Sequence, residues 1–563
     1  MMFKQLLSFA FFAGAAFSRN ATFKLISFGS KAQLQIVDGN IYDLSLLNDD
    51  ILYGTTVSDA PEGSFKYYYI IDGKKESFKR TFKKGDTSTH NEFFGRKDTL
   101  KELKTFKRPE NFKTWDRTIG KTELFDDSYI PTIHITGSKA KKFFKNPVKY
   151  EDSKLEKVTF YLRDSVETFT NVSSSAKNYE FSKFQIKMKL GKNSQGTKGF
   201  NGRYVLKLRN GGEDPINLRQ VIYGNIIREL GMPALHSVMC RVYYEKKPAG
   251  FYTLQETVPT ESFVNTEFYG NPKTGVASPP KKIGYIFDGT TGSDFEYKKN
   301  DEDYYSVFDM TSDDQSYDRL IAFTKAIKNL NPFNEKELAS FEKKWFDIDT
   351  FHKAMAMEYL TGDWDGYWYT TANFAIYDDP NESTKNTYKF YFITQDHDET
   401  FGVGLDDDIN TVGHKFPEIS YTTMLNRTWH IAEDDAKYRT LVDKFIASTP
   451  SLHKRFQDTL FAIVKNIFNP VAFRDVVDSY YDRYEPEVKW DYSFTRPYVV
   501  KDQYPDYGYK DFVDGFEGEI EGVDWSLYEW VKLRSEAIKK EFCITWEGDA
   551  NPPKETCVPK VQF

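Results

Sequence analysis

The sequence predicts an α+β chain: a small all-β, sandwich-like module, then a larger two-lobed body whose first lobe is β-rich and whose second is helical. Three observations carry this. Short strand-like runs broken by turn residues occupy Ala21 to about Phe82. Strands dominate again from about Tyr129 to Tyr297, interrupted by one well-marked helix, and after about Asp314 the apolar residues fall at helical spacing. At 563 residues the chain exceeds one ordinary core, so about two to four domains are expected. Aromatic residues make up 17% and charged residues 28%, the composition of a folded chain.

In the first module, residues 19–105, ATFKLISF and AQLQIV have strand composition, and FKYYYIIDGKKESFKR reads as two strands joined at Asp72-Gly73. A Lys- and Arg-rich connector leads through residues 106–128 into the β-rich lobe, residues 129–313. There YIPTIHITG, EKVTFYL, SKFQIKMKLG and GRYVLKLRN are strand-like. The helix DPINLRQVIYGNIIRELG has Asp214 to cap it, Pro215 at its first position and Gly231 to stop it. Leu218, Val221, Ile222, Ile226 and Leu230 give it one buried face, and a hairpin turning near Lys247-Pro248 follows. The helical lobe, residues 314–542, includes SYDRLIAFTKAIKNL, DIDTFHKAMAMEYLTGDW, DAKYRTLVDKFIAS, SLHKRFQDTLFAIVKNIF and DWSLYEWVKLRSEAIKKEF. A polar hairpin, Asp363 to Gly402, lies between the second and third of these, and residues 543–563 form a polar tail. Two lobes imply a cleft, where ligands commonly bind.

The net charge of −7 gives no reason to expect nucleic acid or an anionic membrane as partner. The basic run at Ser138–Lys145 reads as a solvated face. Residues 1–18 read as a secretory leader: Lys4, an apolar stretch from Leu6 to Phe17, and a small-residue cut site near Ser18. That stretch is shorter than the about 20 apolar residues a membrane span needs, no later segment qualifies, and the tail lacks a GPI signal. The expected location is outside the cell or in a wall or spore surface. Cys543 and Cys557 flank a Pro-containing loop and can form a disulfide, whereas Cys240 reads as a buried strand residue. Sequons at Asn20, Asn171, Asn381 and Asn426 agree with secretion.

Three clusters can carry chemistry. In YFITQDHDETFG, Asp396 and Asp398 follow a strand and, two residues apart, aim hard oxygens at one point, as Mg²⁺ or Mn²⁺ requires; His397 faces away as a packed residue. In GDWDGYWYTTANFAIYDD, Asp365 and Asn373 lead into one strand of a hairpin whose other strand ends at Asp396. Protein kinases place a catalytic Asp, an Asn and a metal-binding Asp in that order, although Asp365 and Asn373 are eight residues apart where kinases have about five. In GRYVLKL, alternation sets Lys207 on one strand face with Arg203, Val205 and Arg209, pointing to solvent or phosphates. Glu229 and Glu256 are both available to hold Lys207 in an ion pair. The Gly-rich run Lys189–Gly202 before Lys207 can cover phosphates through backbone N–H groups. A hydrolase built on Asp363 and Asp365 is the weakest reading, because carboxylates two apart rarely straddle a scissile bond.

The order YVLKL, DPINLRQVIYGNIIRELGMPA, GFYTLQE, EYLTGDWDGYW, FITQDHDETFG resembles the CotH (spore-coat protein H) kinase family, in particular its secreted members from mucoralean fungi. The resemblance spans roughly Ile130 to Glu541. It implies an atypical protein-kinase-like two-lobed domain using ATP with Mg²⁺ or Mn²⁺. Lys207 would contact ATP phosphates, Asp365 would be the catalytic carboxylate, Asn373 and Asp396 would hold the metals and Asp398 would support them. Bacterial members are implied to phosphorylate coat proteins and fungal surface members to bind a host receptor as invasins. The implied partners are therefore a coat or wall protein substrate, or a host cell-surface receptor met by a vestigial cleft. Where invasin-type members look to carry a polar, Gly-rich receptor loop, this chain has YTTANFAIYDD, which favours the metal site.

Overall fold

The computed structural model describes residues 18–48, 50–299, 301–405, 407–429 and 438–560; the segment expected to be a leader lies outside them up to residue 17. Two units form. The first comprises the residues up to Lys101 with Tyr161–Val166, and the second the remainder.

Alternation builds the first unit. Its strands are β1 (Ser18–Ile26), β2 (Ala32–Ile36), β3 (Ile41–Leu46), β4 (Leu52–Pro61), β5 (Phe65–Ile71), β6 (Lys74–Lys75), β7 (Arg80–Phe82) and β8 (Ser88–Phe93). They pair in the order β6-β5-β2-β3-β4-β1-β8, with β7 also on β5. Every second residue of β5 is buried, so Tyr67, Tyr69 and Ile71 meet Phe23, Leu25, Leu34 and Phe82 in one core. Asp72 and Gly73, both at positive φ, turn β5 into β6 where the sequence predicts the hairpin.

The second unit opens with a barrel of β9 (Thr132–Thr136), β10 (Asp152–Tyr161), β11 (Val166–Lys177), β12 (Gln185–Lys189), β13 (Val205–Arg209), β14 (Ser237–Tyr244) and β15 (Lys247–Glu256). It closes in the order β10-β11-β12-β13-β15-β14-β9, which leaves no free sheet edge. Ile186, Met188, Leu206 and Leu208 are buried on one face of β12 and β13, in direct register, and Lys187 and Lys207 stand opposite each other on the other face. The β14–β15 turn is at Glu245-Lys246, both at positive φ, not at Lys247-Pro248. Pro248 is instead inside β15 beside a bulge, one of the few places a strand accepts proline.

The helix expected from Asp214 begins at Arg219 and ends at Glu229. The Asp214 carboxylate accepts N–H groups of Ile216, Leu218 and Arg219 at 3.0, 2.8 and 2.8 Å, so it organises a turn ahead of the helix. Arg219 to Ile227 are all buried rather than one face alone, because β14, Tyr480 and His397 approach from different sides.

After a small ladder of β16 (Gly270–Asn271) and β17 (Val276–Ala277) comes the sheet that positions the site. Its strands are β18 (Ile286–Gly289), β19 (Phe308–Met310), β20 (Phe374–Asp378) and β21 (Phe390–Thr394), antiparallel in the order β19-β18-β20-β21. Strands from both sides of residue 313 share this sheet. Every residue of β20 and β21 is buried, which is why FAIYD and FYFIT read as near-continuous apolar runs.

Helices Asp318–Asn329, Ile348–Thr361, Pro450–Asn466 and Leu527–Phe542 form where periodicity predicts them. Of DAKYRTLVDKFIAS, the part up to residue 437 lies outside the described residues, and the rest is Thr440–Val442 followed by a π-turn, Asp443–Ala447. Glu335–Lys344 and the 22-residue Pro470–Asp491 are additional helices; the second carries an internal Pro486, which breaks its sequence signal. Ser138–Lys145 is a helix that buries Ala140, Phe143 and Phe144 and turns its lysines outward. Cys543 and Cys557 are disulfide-bonded. No helix among the described residues is long and apolar enough to cross a membrane.

Candidate functional site

The β20–β21 hairpin brings the two acidic segments together. Phe374 pairs with Thr394, so Asn373 entering β20 and Gln395 leaving β21 are neighbours, the Gln395 N–H donating to the Asn373 carbonyl at 3.3 Å. Asn373 and Asp396 both have positive φ, 50° and 60°, as do Thr371 and Phe401 at 53° and 54°. That region costs a non-glycine residue roughly 1–2 kcal/mol, and Asn and Asp tolerate it best. Strained backbone concentrates where two loops must deliver side chains to one place.

The helix Ile348–Thr361 ends at Gly362, φ 60°, where an added Cβ would lie 2.4 Å from the Trp530 ring; only glycine fits. Beyond it the two aspartates part. Asp363 is buried and its Oδ2 is 2.8 Å from His397 Nδ1. Asp365 is only partly buried, and Asn373 Nδ2 donates both to its carboxylate Oδ2 and, at 3.1 Å, to its carbonyl. The long Asp365–Asn373 spacing is taken up by one helical turn, Tyr367–Thr370, whose first N–H groups, of Tyr367 and Trp368, donate to the Glu358 carboxylate at 3.2 and 2.7 Å. Asp363 is engaged by His397 and Asp365 by Asn373, so among the described residues the two carboxylates share no hydrogen-bond partner.

From the barrel, β13 presents Lys207 and Arg209 on one face. Arg209 Nη2 ion-pairs with Asp396 Oδ1 and with Asp398 Oδ2, the latter at 2.7 Å, and Arg209 Nε donates to Asp398 Oδ2 at 3.2 Å. The two carboxylates thus meet on an arginine, and they do so from a turn in which Asp396 has positive φ, not from the extended segment expected. Neither expected partner reaches Lys207. Glu256 is bonded to Arg203 at 2.7 Å and Glu229 to Arg108 at 2.9 Å. The register explains the first: Glu256 lies opposite Leu206, and Lys207 opposite Gln255, so Glu256 and Lys207 leave the sheet on opposite faces. Lys207 is half-buried and forms no ion pair among the described residues.

Burial pulls the Lys207 ammonium below its usual range, with Asp396 the strongest opposing charge. For Asp396 burial works upward, but Arg209 and Lys207 overcome it and hold the carboxyl well below the usual range. Asp398 is raised by burial against the pull of Arg209. Burial and the Asp396 charge push Asp365 up to about 6, against hydrogen bonds from Thr370 and Asn373. His397, lowered to about 3 by burial, is a neutral ring stacked on Tyr223, with its backbone N–H donating to Gln220 Oε1 at 2.8 Å. Glu213 and Glu399 at the rim are raised by burial and by Asp398 to about 7 and about 8.

Arg209, Gln220, Tyr223, Glu213, Glu358 and Glu399 complete the site beyond the residues singled out from sequence. Only Arg209 left a signal there, standing two residues from Lys207 on a strand. Among the described residues no three His, Cys, Asp or Glu side chains cluster tightly enough to hold a metal ion by themselves. The carboxylates of Asp396 and Asp398 and the amide oxygen of Asn373 are nevertheless the hard donors Mg²⁺ or Mn²⁺ takes when phosphate oxygens and water complete its shell, so the site fits a metal in the company of phosphate. A cavity of about 850 Å³ is lined by Lys187, Tyr204, Val205, Tyr285, Ile286 and Thr311, and none of Lys207, Asp365, Asn373, Asp396 and Asp398 lines it.

A family model described as CotH kinase protein matches residues 171–537, the stretch that contains β13, the 219–229 helix and the β20–β21 hairpin. Among relatives from Rhizopus delemar, the chain is similar to invasin CotH2, 29% identical over 92% of this chain and 85% of the relative. It is also similar to spore coat protein homolog 1, 27% identical over 97% and 86%, and to invasin CotH3, 27% identical over 96% and 87%. Since the matched stretch covers well over half of the sequence and every side chain converging on Asp396, the chain belongs to the CotH kinase protein family.

Proposed function

We propose that this chain is an atypical protein kinase, with a kinase-like cleft between barrel and helices, that transfers the γ-phosphoryl group of ATP to a protein hydroxyl with Mg²⁺ or Mn²⁺. The observation that carries the reading is the meeting of Lys207, the Asp396–Asp398 pair and the Asp365–Asn373 pair at one hairpin base. Phosphoryl transfer asks for positioning and charge neutralisation, and these groups supply both. Asp365, titrating at about 6, is ionised at neutral pH yet basic enough to accept the hydroxyl proton. Asn373 fixes that carboxylate through its Nδ2, leaving Oδ1 for a metal. Lys207 Nζ, free of a carboxylate partner, binds the polyphosphate, and the 850 Å³ cavity beside Lys187 has room for the nucleoside. A metal held by Asp396, Asp398 and Asn373 supplies charge neutralisation on the phosphoryl oxygens. In this reading the substrate is a coat or wall protein met outside the cell; the relatives named invasin and spore coat protein homolog support that location. Purified protein should label itself or an acidic carrier from ATP, and Asp396→Asn should abolish labelling; labelling that survives would overturn the assignment.

A second reading has one specific support, the name invasin borne by relatives that share most of this chain. In that reading the chain is a surface adhesin for a host receptor. It predicts host-cell binding by Asp396→Asn equal to that of the unaltered protein, with no nucleotide affinity in either.

A further inference from the structure

Arg209 is an internal cation lodged where a metal would sit. The residue is 5% exposed, and its Nη2 contacts Asp396 Oδ1 and Asp398 Oδ2 together. A divalent ion attracted to those two oxygens meets a charge already there. The same side chain has an unused edge, since buried Nη1 has no hydrogen-bond partner. Gln220, 3% exposed, repeats the pattern: Oε1 holds the His397 N–H inside the same turn, while buried Nε2 has no partner. Two side chains grip the 396–398 turn with one edge and leave a donor idle on the other. Idle buried donors normally find an acceptor, because leaving one unpaired costs about 1–3 kcal/mol.

We propose that Arg209 excludes free divalent metal from Asp396 and Asp398, and that metal enters only as its complex with a polyphosphate, the guanidinium passing from the carboxylates to a phosphate oxygen as the metal takes its place. The phosphate half of this rests on the proposed phosphoryl transfer; the exclusion half does not. The exchange keeps every charge paired. Before it, the carboxylates face a guanidinium; after it, they face a metal, and the guanidinium, with Lys207 and the Gln220 amide beside it, faces phosphate. Arginine suits this because its planar fork can hold two acceptors at once.

The test measures Mn²⁺ binding to the full chain by electron paramagnetic resonance, with Mn²⁺ alone and with Mn²⁺ plus ATP or tripolyphosphate. The unaltered protein should bind Mn²⁺ only when ATP or tripolyphosphate is present. Arg209→Gln should bind Mn²⁺ alone at least about tenfold more tightly than the unaltered protein, and Arg209→Gln combined with Asp396→Asn should lose that gain. If Arg209→Gln does not fold, Arg209→Lys carries the same test with a smaller gain, because lysine keeps the charge but lacks the second nitrogen that also binds Asp398. Tight binding of Mn²⁺ alone by the unaltered protein, or no gain in either Arg209 variant, overturns the proposal. A gain in Arg209→Gln with no phosphate-dependent Mn²⁺ binding by the unaltered protein overturns the exchange and the kinase reading together, while exclusion stands.

Discussion

His397 lies flat on Tyr223, ring centroids 3.6 Å apart and planes 8° from parallel. The ring thereby fastens the Asp396–Asp398 turn to the 219–229 helix, and its Nδ1 contact with Asp363 fastens it to the loop that carries Asp365. A residue flanked by Asp396 and Asp398 is thus a rivet beneath the candidate site. Its burial keeps it neutral, and burial likewise raises the Asp363 carboxyl well above its usual range, so the pair meets with little buried charge.

Replacing His397 with Ala should therefore cost about 3 kcal/mol or more, since it opens a cavity and strips a buried carboxyl of its partner. Chemical denaturation of the single variants and of His397→Ala with Asp363→Asn checks this: the double loss should fall short of the sum. Additive losses would separate the two residues.

Lys207 and Arg209 should respond in opposite ways although they are neighbours on β13. Arg209→Ala leaves two carboxylates without their cation and should lower stability by about 3–5 kcal/mol. Lys207→Ala removes a half-buried side chain with no ion pair, so the melting temperature should stay within a few degrees while ATP affinity drops at least about tenfold. Calorimetric unfolding and ATP titration on both variants separate these outcomes.

Much of this architecture was legible because its signals are local. Period-two burial in β5, the Asp72-Gly73 turn and the 348–361 helix each announce themselves within a few residues. Asp396 and Asp398 were legible as neighbours, but the reason was not: strand alternation presumes an extended segment, whereas β21 ends at Thr394 and Asp396 sits in a turn at φ 60°. Pairing partners were not, since the register of β13 against β15 decides that Glu256 turns away from Lys207, and no local pattern encodes a register. Arg209 could be placed on the right face but not at the right oxygens. Glu358, which caps the Tyr367–Thr370 turn, was invisible for a different reason: inside a helix it reads as an ordinary surface glutamate.

Asn373 carries two duties that substitution can divide. Asn373→Gly accepts the positive φ and should keep the fold, but frees Asp365 and removes an amide oxygen, lowering phosphotransfer by about a hundredfold or more. Asn373→Ala should add a stability loss of roughly 1 kcal/mol, because alanine does not favour that backbone region. Equal stability of the two variants would show that the strained φ is not maintained in solution.

Protonation of the rim gives the last test. Glu399 has a folded-state pKa of about 8 against an ordinary value of 4.5, so folding takes up a proton there between those pH values. The native state then binds more protons than the unfolded chain, and stability must fall as pH rises through the window. Glu213, at about 7, acts in the same direction. His397, at about 3 against 6.5, acts oppositely: the unfolded chain binds the extra proton, so stability falls as pH drops from about 6.5. Glu399→Gln removes only the alkaline penalty. It should raise stability at pH 8 by about 1 kcal/mol, after allowance for screening by solvent, and change it little at pH 4.5, where Glu399 is protonated in the native state. Denaturant midpoints across pH 4–9 check this, and an equal gain at both ends would assign the effect to packing instead of charge.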